Sequence, residues 1–179
     1  MNGADMNGRV LVAGIGNIFL SDDGFGSEAA RQVSVTPLPT CVSVIDYGIR
    51  GMHLAYDLLD GYEALIILDA APRGGRPGDV VVIEVGPDDL GHGQLDAHGM
   101  EPTAVLASLG SLGGSLPRTF VVGCEPADVS EGMGLSPPVA AAAARTADIV
   151  TTLLREELRM TLPDSQSIRA SPTPEEVSG

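Results

Sequence analysis

Flat side chains are almost missing from this sequence. It has no tryptophan, three tyrosines and three phenylalanines, so aromatics make up 3% of its 179 residues. Such a chain is poorly equipped to stack successive nucleobases. Basic residues are scarce as well: 10 against 24 acidic ones, a formal net charge of −14. Phosphate contact needs a cationic face, so no nucleic-acid partner is expected. There are only two cysteines, Cys41 and Cys124, far apart and in or beside apolar runs. That gives neither a disulfide framework nor a zinc knuckle, and both read as small buried residues. No apolar run approaches the length of a membrane span, and the N-terminus lacks a signal-peptide core. The expectation is a cytoplasmic monomer with no membrane partner.

What is present is aliphatic. Hydrophobic residues make up 44% and charged residues 19%, the profile of a globular chain. The first eight residues read as a flexible extension, 9–160 as one domain, and the Pro-rich polar stretch 161–179 as a disordered tail. Strands are expected over 10–15, 41–45, 64–68, 79–85 and 119–123, and helices over 26–33, 52–59, 102–109 and from 137 to about 159. In the first helix, Phe25, Ala29 and Val33 form one apolar stripe. In the second, the apolar face is Met52, Ala55, Leu58 and Leu59, and His53 reads as structural. The third strand is apolar throughout, which argues for a central place covered on both faces. The glycine-rich link at 72–78 is too short for a crossover helix, so the fourth strand must run antiparallel to a neighbour. The fold class is therefore α/β, a single three-layer α/β/α domain with a mixed, about five-stranded sheet.

The chain is organised around its first strand-to-helix turn, Gly14-Ile15-Gly16-Asn17 followed by Asp22-Asp23-Gly24. Ligands of open α/β sheets bind outside the carboxyl ends of the strands. Asp22 and Asp23 stand where a helix begins and, taken alone, read as helix caps. Asp46 ends the second strand and Asp69 the third. Parallel strands place all of these carboxylates at one edge of the sheet. The polar loop 86–99, carrying His92 and His98, is long enough to return a histidine to that edge, and loops of this length in compact domains are commonly functional. Two carboxylates and an imidazole would make a mixed oxygen–nitrogen site for a borderline divalent cation such as nickel, zinc or iron.

In order, Gly14-Ile15-Gly16-Asn17 with Asp22-Asp23-Gly24-Phe25-Gly26, Asp46 with Gly48 and Gly51, Leu68-Asp69-Ala70, His98, Gly123-Cys124-Glu125-Pro126, and Leu135-Ser136 resemble the hydrogenase maturation endopeptidases. The resemblance covers residues 9–158. It implies an enzyme that removes a C-terminal extension from the large-subunit precursor of a [NiFe]-hydrogenase after nickel insertion. It further implies that Asp23, Asp69 and His98 contact the metal, that the two aspartates serve the cleavage, and that Gly14, Gly16, Asn17, Asp22 and Asp46 support them. The nickel would arrive within the substrate rather than reside in the enzyme. Two departures stand out: Asp23 occupies a position that is often Glu, and Tyr47-Gly48-Ile49 replaces a common Gly-Gly-Thr.

Three other readings compete. A nucleotide-binding module is suggested by Gly14 and Gly16, but Phe19 stands where the third glycine of the fingerprint belongs, and Asp22 and Asp23 would repel a pyrophosphate. A nickel-dependent chaperone would bind the precursor through the same trio without cutting it. A peptidase with its own zinc would need a ligand motif such as H-E-x-x-H, which is absent. A Gly-x-Ser-x-Gly elbow is also absent, which disfavours serine chemistry.

Overall fold

A computed structural model of the protein describes residues 8–91 and 102–164. Strand β1 (Val10–Ile15) leads through a 3-10 turn (Ser21–Gly24) into helix α1 (Phe25–Ser34). Then come β2 (Val42–Gly48), α2 (Gly51–Leu58), β3 (Ala64–Ala70) and β4 (Val80–Val85). A short 3-10 turn (Pro87–Gly91), α3 (Pro102–Ser111), β5 (Arg118–Cys124) and α4 (Pro137–Thr152) complete the order.

The sheet order is β2-β1-β3-β5-β4. Neighbours β2, β1, β3 and β5 are parallel, and β4 alone is antiparallel, pairing Val80 with Cys124 and Val85 with Thr119. The mixed sheet thus follows from the short, helix-free link between β3 and β4. From β1 the chain steps outward to β2, then returns past β1 to β3, so the crevice between β1 and β3 is the point where strand order reverses.

Alternation along the inner strands makes two cores. Val10, Val12, Ile66, Leu68, Phe120 and Val122 pack with Phe25, Ala29 and Val33 of α1 and Val139, Ala142 and Val150 of α4. On the other face Leu11, Ala13, Leu65, Ile67 and Val121 pack with Leu54, Ala55 and Leu58 of α2 and Val105, Leu106 and Leu109 of α3. Every residue of β1 is buried, as a strand covered on both faces must be.

Several expectations need correction. The buried face of α2 is Gly51, Leu54, Ala55 and Leu58, while Met52 and Leu59 are exposed; the short helix starts at Gly51, so its inward stripe is set by Leu54 rather than Met52. Cys124 is buried but Cys41, just ahead of the edge strand β2, is only half-buried. Strand β2 runs three residues and β3 two residues further than the apolar pattern, taking Asp46 and Asp69 into the ladder. The last helix is α-helical only to Thr152. Leu153–Glu157 is a π turn closed by the Leu158 N–H on the Leu153 carbonyl at 3.0 Å, and Leu153, Leu154, Leu158 and Met160 all end buried.

Candidate active site

The turn after β1 is built by close backbone approach. Gly16 has φ +146°, and a Cβ there would lie 2.0 Å from the Asp23 carbonyl oxygen. Gly26, in the first turn of α1, is pressed against the ends of two strands: a Cβ would lie 2.0 Å from the Ile15 carbonyl oxygen and 2.3 Å from that of Leu68. No side chain fits at either position, and the consequence is that α1 starts directly over the β1–β3 crevice. Within the turn, Asn17 donates its N–H to Asp23 Oδ2 at 2.8 Å, and its own Oδ1 accepts the Phe19 N–H at 3.0 Å.

Asp22 and Asp23 do not cap α1; neither makes a side-chain cap there. Gly26 draws the helix start so close to the strand ends that the aspartates fall into the preceding 3-10 turn, Ser21–Gly24. Their carboxylates serve different ends. Asp22 is fully buried and accepts four hydrogen bonds from across the molecule. Ser136 N–H reaches Oδ1 at 2.7 Å, and Ser136 Oγ, Ala127 N–H and Asp128 N–H reach Oδ2 at 2.8, 2.8 and 3.1 Å. Burial would push this carboxyl up, but the Ser136, Ala127 and Asp128 donors outweigh it and hold the carboxyl below its ordinary value. Asp23 is half-buried and uses one oxygen on Asn17.

Asp69 stands at the end of the central strand β3, beside Gly123 of β5. Burial pushes its carboxyl well above the usual range, the Asp23 carboxylate pushes the same way, and the Ala70 N–H opposes both. The two aspartates therefore face one another electrostatically across the switch point. Such a pair favours a proton or a cation between them.

Asp46 lies further out on β2, exposed, with Oδ1 accepting Ser27 Oγ at 2.8 Å and the Gly48 N–H at 2.9 Å. Together with Ser27 it lines a groove of about 690 Å³ that also borders Ile18, Arg31, Met133 and Leu135. The groove runs beside the carboxylate pair; neither Asp23 nor Asp69 lines it. At the departure from Gly-Gly-Thr, Tyr47 is buried and donates its hydroxyl to Asp57 Oδ2 at 2.6 Å. The large side chain is thus absorbed into the core under α2, and the replacement that reaches the surface is Ile49.

Gly14, Gly16, Asn17, Asp22, Asp23, Asp46 and Asp69 thus converge on one edge, as the order of strands implied. His98 and His92 lie outside the described residues. Among the described residues, no three side chains of His, Cys, Asp or Glu form a metal-binding group, and no helix is long and apolar enough to cross a membrane. Sequence reasoning missed the partners of Asp22. The available signal was Ser136 ahead of Pro137-Pro138, a helix start whose first two positions lack N–H groups. It also missed Glu125, which accepts the Arg73 and Gly74 N–H groups and so pins the link between β3 and β4.

Comparison with known proteins agrees with this arrangement. The family model described as hydrogenase maturation protease matches residues 28–153. The hydrogenase expression/formation protein HupD of Rhodobacter capsulatus is 34% identical over 136 residues, which is 74% of this chain and 64% of HupD, so the chain spans just under two-thirds of that relative. The hydrogenase 2 maturation protease of Escherichia coli K12 is 31% identical over 153 residues, 83% of this chain and 92% of the relative. Among solved structures, the hydrogenase maturating endopeptidase HybD from E. coli superimposes with a TM-score of 0.71 at 29% identity, covering 83% of this chain and 93% of that one. The mixed five-stranded α/β/α domain is the same in both. With residues 28–153 matched by the family model and a maturation protease 31% identical over 83% of the chain, the chain belongs to the hydrogenase maturation protease family.

Proposed function

We propose that this chain is an endopeptidase that removes the C-terminal extension of a nickel-loaded [NiFe]-hydrogenase large-subunit precursor, recognising the substrate's nickel through Asp23, Asp69 and His98. The observation that carries the reading is the paired carboxylates at the β1–β3 switch point, where burial first and the Asp23 carboxylate second raise Asp69. A divalent cation arriving with the substrate relieves the repulsion between the two, and oxygen donors suit a borderline metal. Asp23 is supplied by a turn built on close backbone contacts, and Asp69 by the central strand of the sheet.

Recognition of the metal would be converted into orientation of the scissile peptide. The groove lined by Ser27, Asp46 and Met133 offers room beside the carboxylates for the extended chain. Hydrolysis then adds water to the peptide carbonyl carbon, breaks the C–N bond and delivers a proton to the leaving amine. The water is activated by a carboxylate or polarised by the substrate's metal. A precursor without nickel lacks the handle and stays uncut.

The test mixes the purified protein with the precursor, with and without nickel, and follows product mass. Loss of a short C-terminal peptide only with nickel supports the reading. Binding without mass loss would replace it with the chaperone reading, and nickel-independent cleavage would remove the metal from recognition.

A further inference from the structure

Asp69 belongs to a central strand flanked on both sides by paired strands. Asp23 does not: it sits on one 3-10 turn between β1 and α1, whose first residue, Ser21, is held at φ +51°. A non-glycine residue in that region is strained and persists only where its surroundings over-determine it. The surroundings here are the segment between β5 and α4. Ser21 donates its N–H to the Gly132 carbonyl at 2.8 Å and its Oγ to that of Ser130 at 2.9 Å. Gly132 N–H returns a bond to the Phe19 carbonyl at 2.9 Å, and Asp22 N–H reaches the Asp128 carbonyl at 2.9 Å. The buried Asp22 carboxylate closes the set, gathering Ala127, Asp128 and Ser136 onto its two oxygens. The turn carrying Asp23 and the approach to α4 are thereby one unit, fastened through the residue next to Asp23.

We infer that Asp22 is a positioning residue for the reaction: by locking the 19–23 turn to the 127–136 segment it fixes where Asp23 stands relative to Asp69. The inference rests on the peptidase reading above. A shift of about 1 Å in a substrate-orienting group costs about 100-fold in rate, so small slack at Asp22 has a large expected effect. A carboxylate is the right group because all four partners are donors. Asn, of the same size, would point an NH2 at one or more of them.

The test compares Asp22→Asn with the parent protein for kcat and KM on the nickel-loaded precursor, melting temperature, and hydrogen exchange at the Asn17 amide, which reports on Asp23 because it is bonded to Asp23 Oδ2. Arg118→Ala, at the far end of the sheet, is the control for stability loss alone. The expected result for Asp22→Asn is a kcat about 100-fold lower with KM within about threefold, and an Asn17 amide exchanging about tenfold faster. Parent-like kcat, or a kcat loss matched by Arg118→Ala at equal loss of melting temperature, would overturn the proposal. Should Asp22→Asn fail to fold, Ser136→Ala removes only the Oγ bond. It is expected to lower kcat about fivefold to tenfold, the worth of one hydrogen bond, and Ser136→Thr to restore it; unchanged kcat in Ser136→Ala would overturn the proposal. If the parent protein cuts no precursor, the peptidase reading fails by itself. The Asn17 amide then decides the coupling: faster exchange in Asp22→Asn upholds it, and unchanged exchange ends it.

Discussion

At the end of the sheet where β5 begins, Arg118 is shared between Glu84, at 2.7 Å, and the Glu157 carbonyl and carboxylate, at 2.7 and 3.1 Å, and lies 5.0 Å over the Phe120 ring. Arg9 sits nearby over Tyr62 and donates to the Asp60 carbonyl. At the opposite end, where β1 and β3 finish, Asp23, Asp46 and Asp69 have no basic partner among the described residues. One end satisfies its charges and closes the π turn after α4 onto the sheet. The other gathers like charges, strains its backbone at Ser21 and packs glycine against carbonyl oxygens. Stability favours the first arrangement; the second persists where unsatisfied charge is what the site uses.

The sharpest way to break this contrast is to neutralise the charged end. Asp23→Asn, Asp69→Asn and His98→Ala are each expected to reduce precursor processing to below about a thousandth of the parent rate, because recognition and orientation are lost together. Circular dichroism should show the fold retained. Full cleavage by any of the three, read as product mass over time, would remove that residue from the assigned trio. Arg118→Ala should leave the processing rate unchanged.

Backbone approach gives the next largest effect. Gly26→Ala puts a methyl group against the Ile15 and Leu68 carbonyls, and backbone cannot step aside. The expected cost is about 3 kcal/mol, the upper end for overpacking a tight contact, measured by urea unfolding. Processing should fall with it, since α1 and the Asp23 turn move together. At the other end, Arg118→Ala should cost about 1 kcal/mol or less, because its partners are about half exposed and screened. Added salt should shrink that difference.

The mixed sheet with a central β3 was legible because the β3 run is apolar throughout and the 72–78 link is too short to hide a helix. Convergence of Asp23, Asp46 and Asp69 on one edge followed from parallel strands alone. Two features were not legible. The burial of Tyr47 depends on Asp57, ten residues away on α2, and no local pattern distinguishes that from an exposed loop tyrosine. The misreading of Asp22 as a cap has the same origin. Its four partners lie more than a hundred residues away, whereas capping preference is read from neighbours. Local rules located the carboxylates correctly and gave Asp22 the wrong partners.

The smallest expected effect sharpens the contrast most, because it has the opposite sign from the others. Asp69 has a carboxyl raised above its unfolded value by burial and by Asp23. A group raised in this way contributes stability that is fully present below the unfolded value and is lost as pH rises through the folded one. At neutral pH the raised Asp69 carboxyl is therefore a cost to the substrate-free protein relative to the acid range, and Asp69→Asn, which keeps shape and removes the titrating group, should melt higher than the parent. The gain should be no more than about 2–4 °C, the shift that one kcal/mol makes in a chain of this size. It should shrink toward zero as pH falls below the ordinary carboxylate range, where Asp69 is protonated in both states. Melting curves of the two proteins in chelator, from pH 7 down to the acid limit of folding, would show this. A variant that gains stability while losing processing would mark Asp69 as a position held against stability for the sake of the site; a variant that melts lower at neutral pH would mean that the carboxylate holds structure after all, and that the two ends of the sheet differ less than their charges imply.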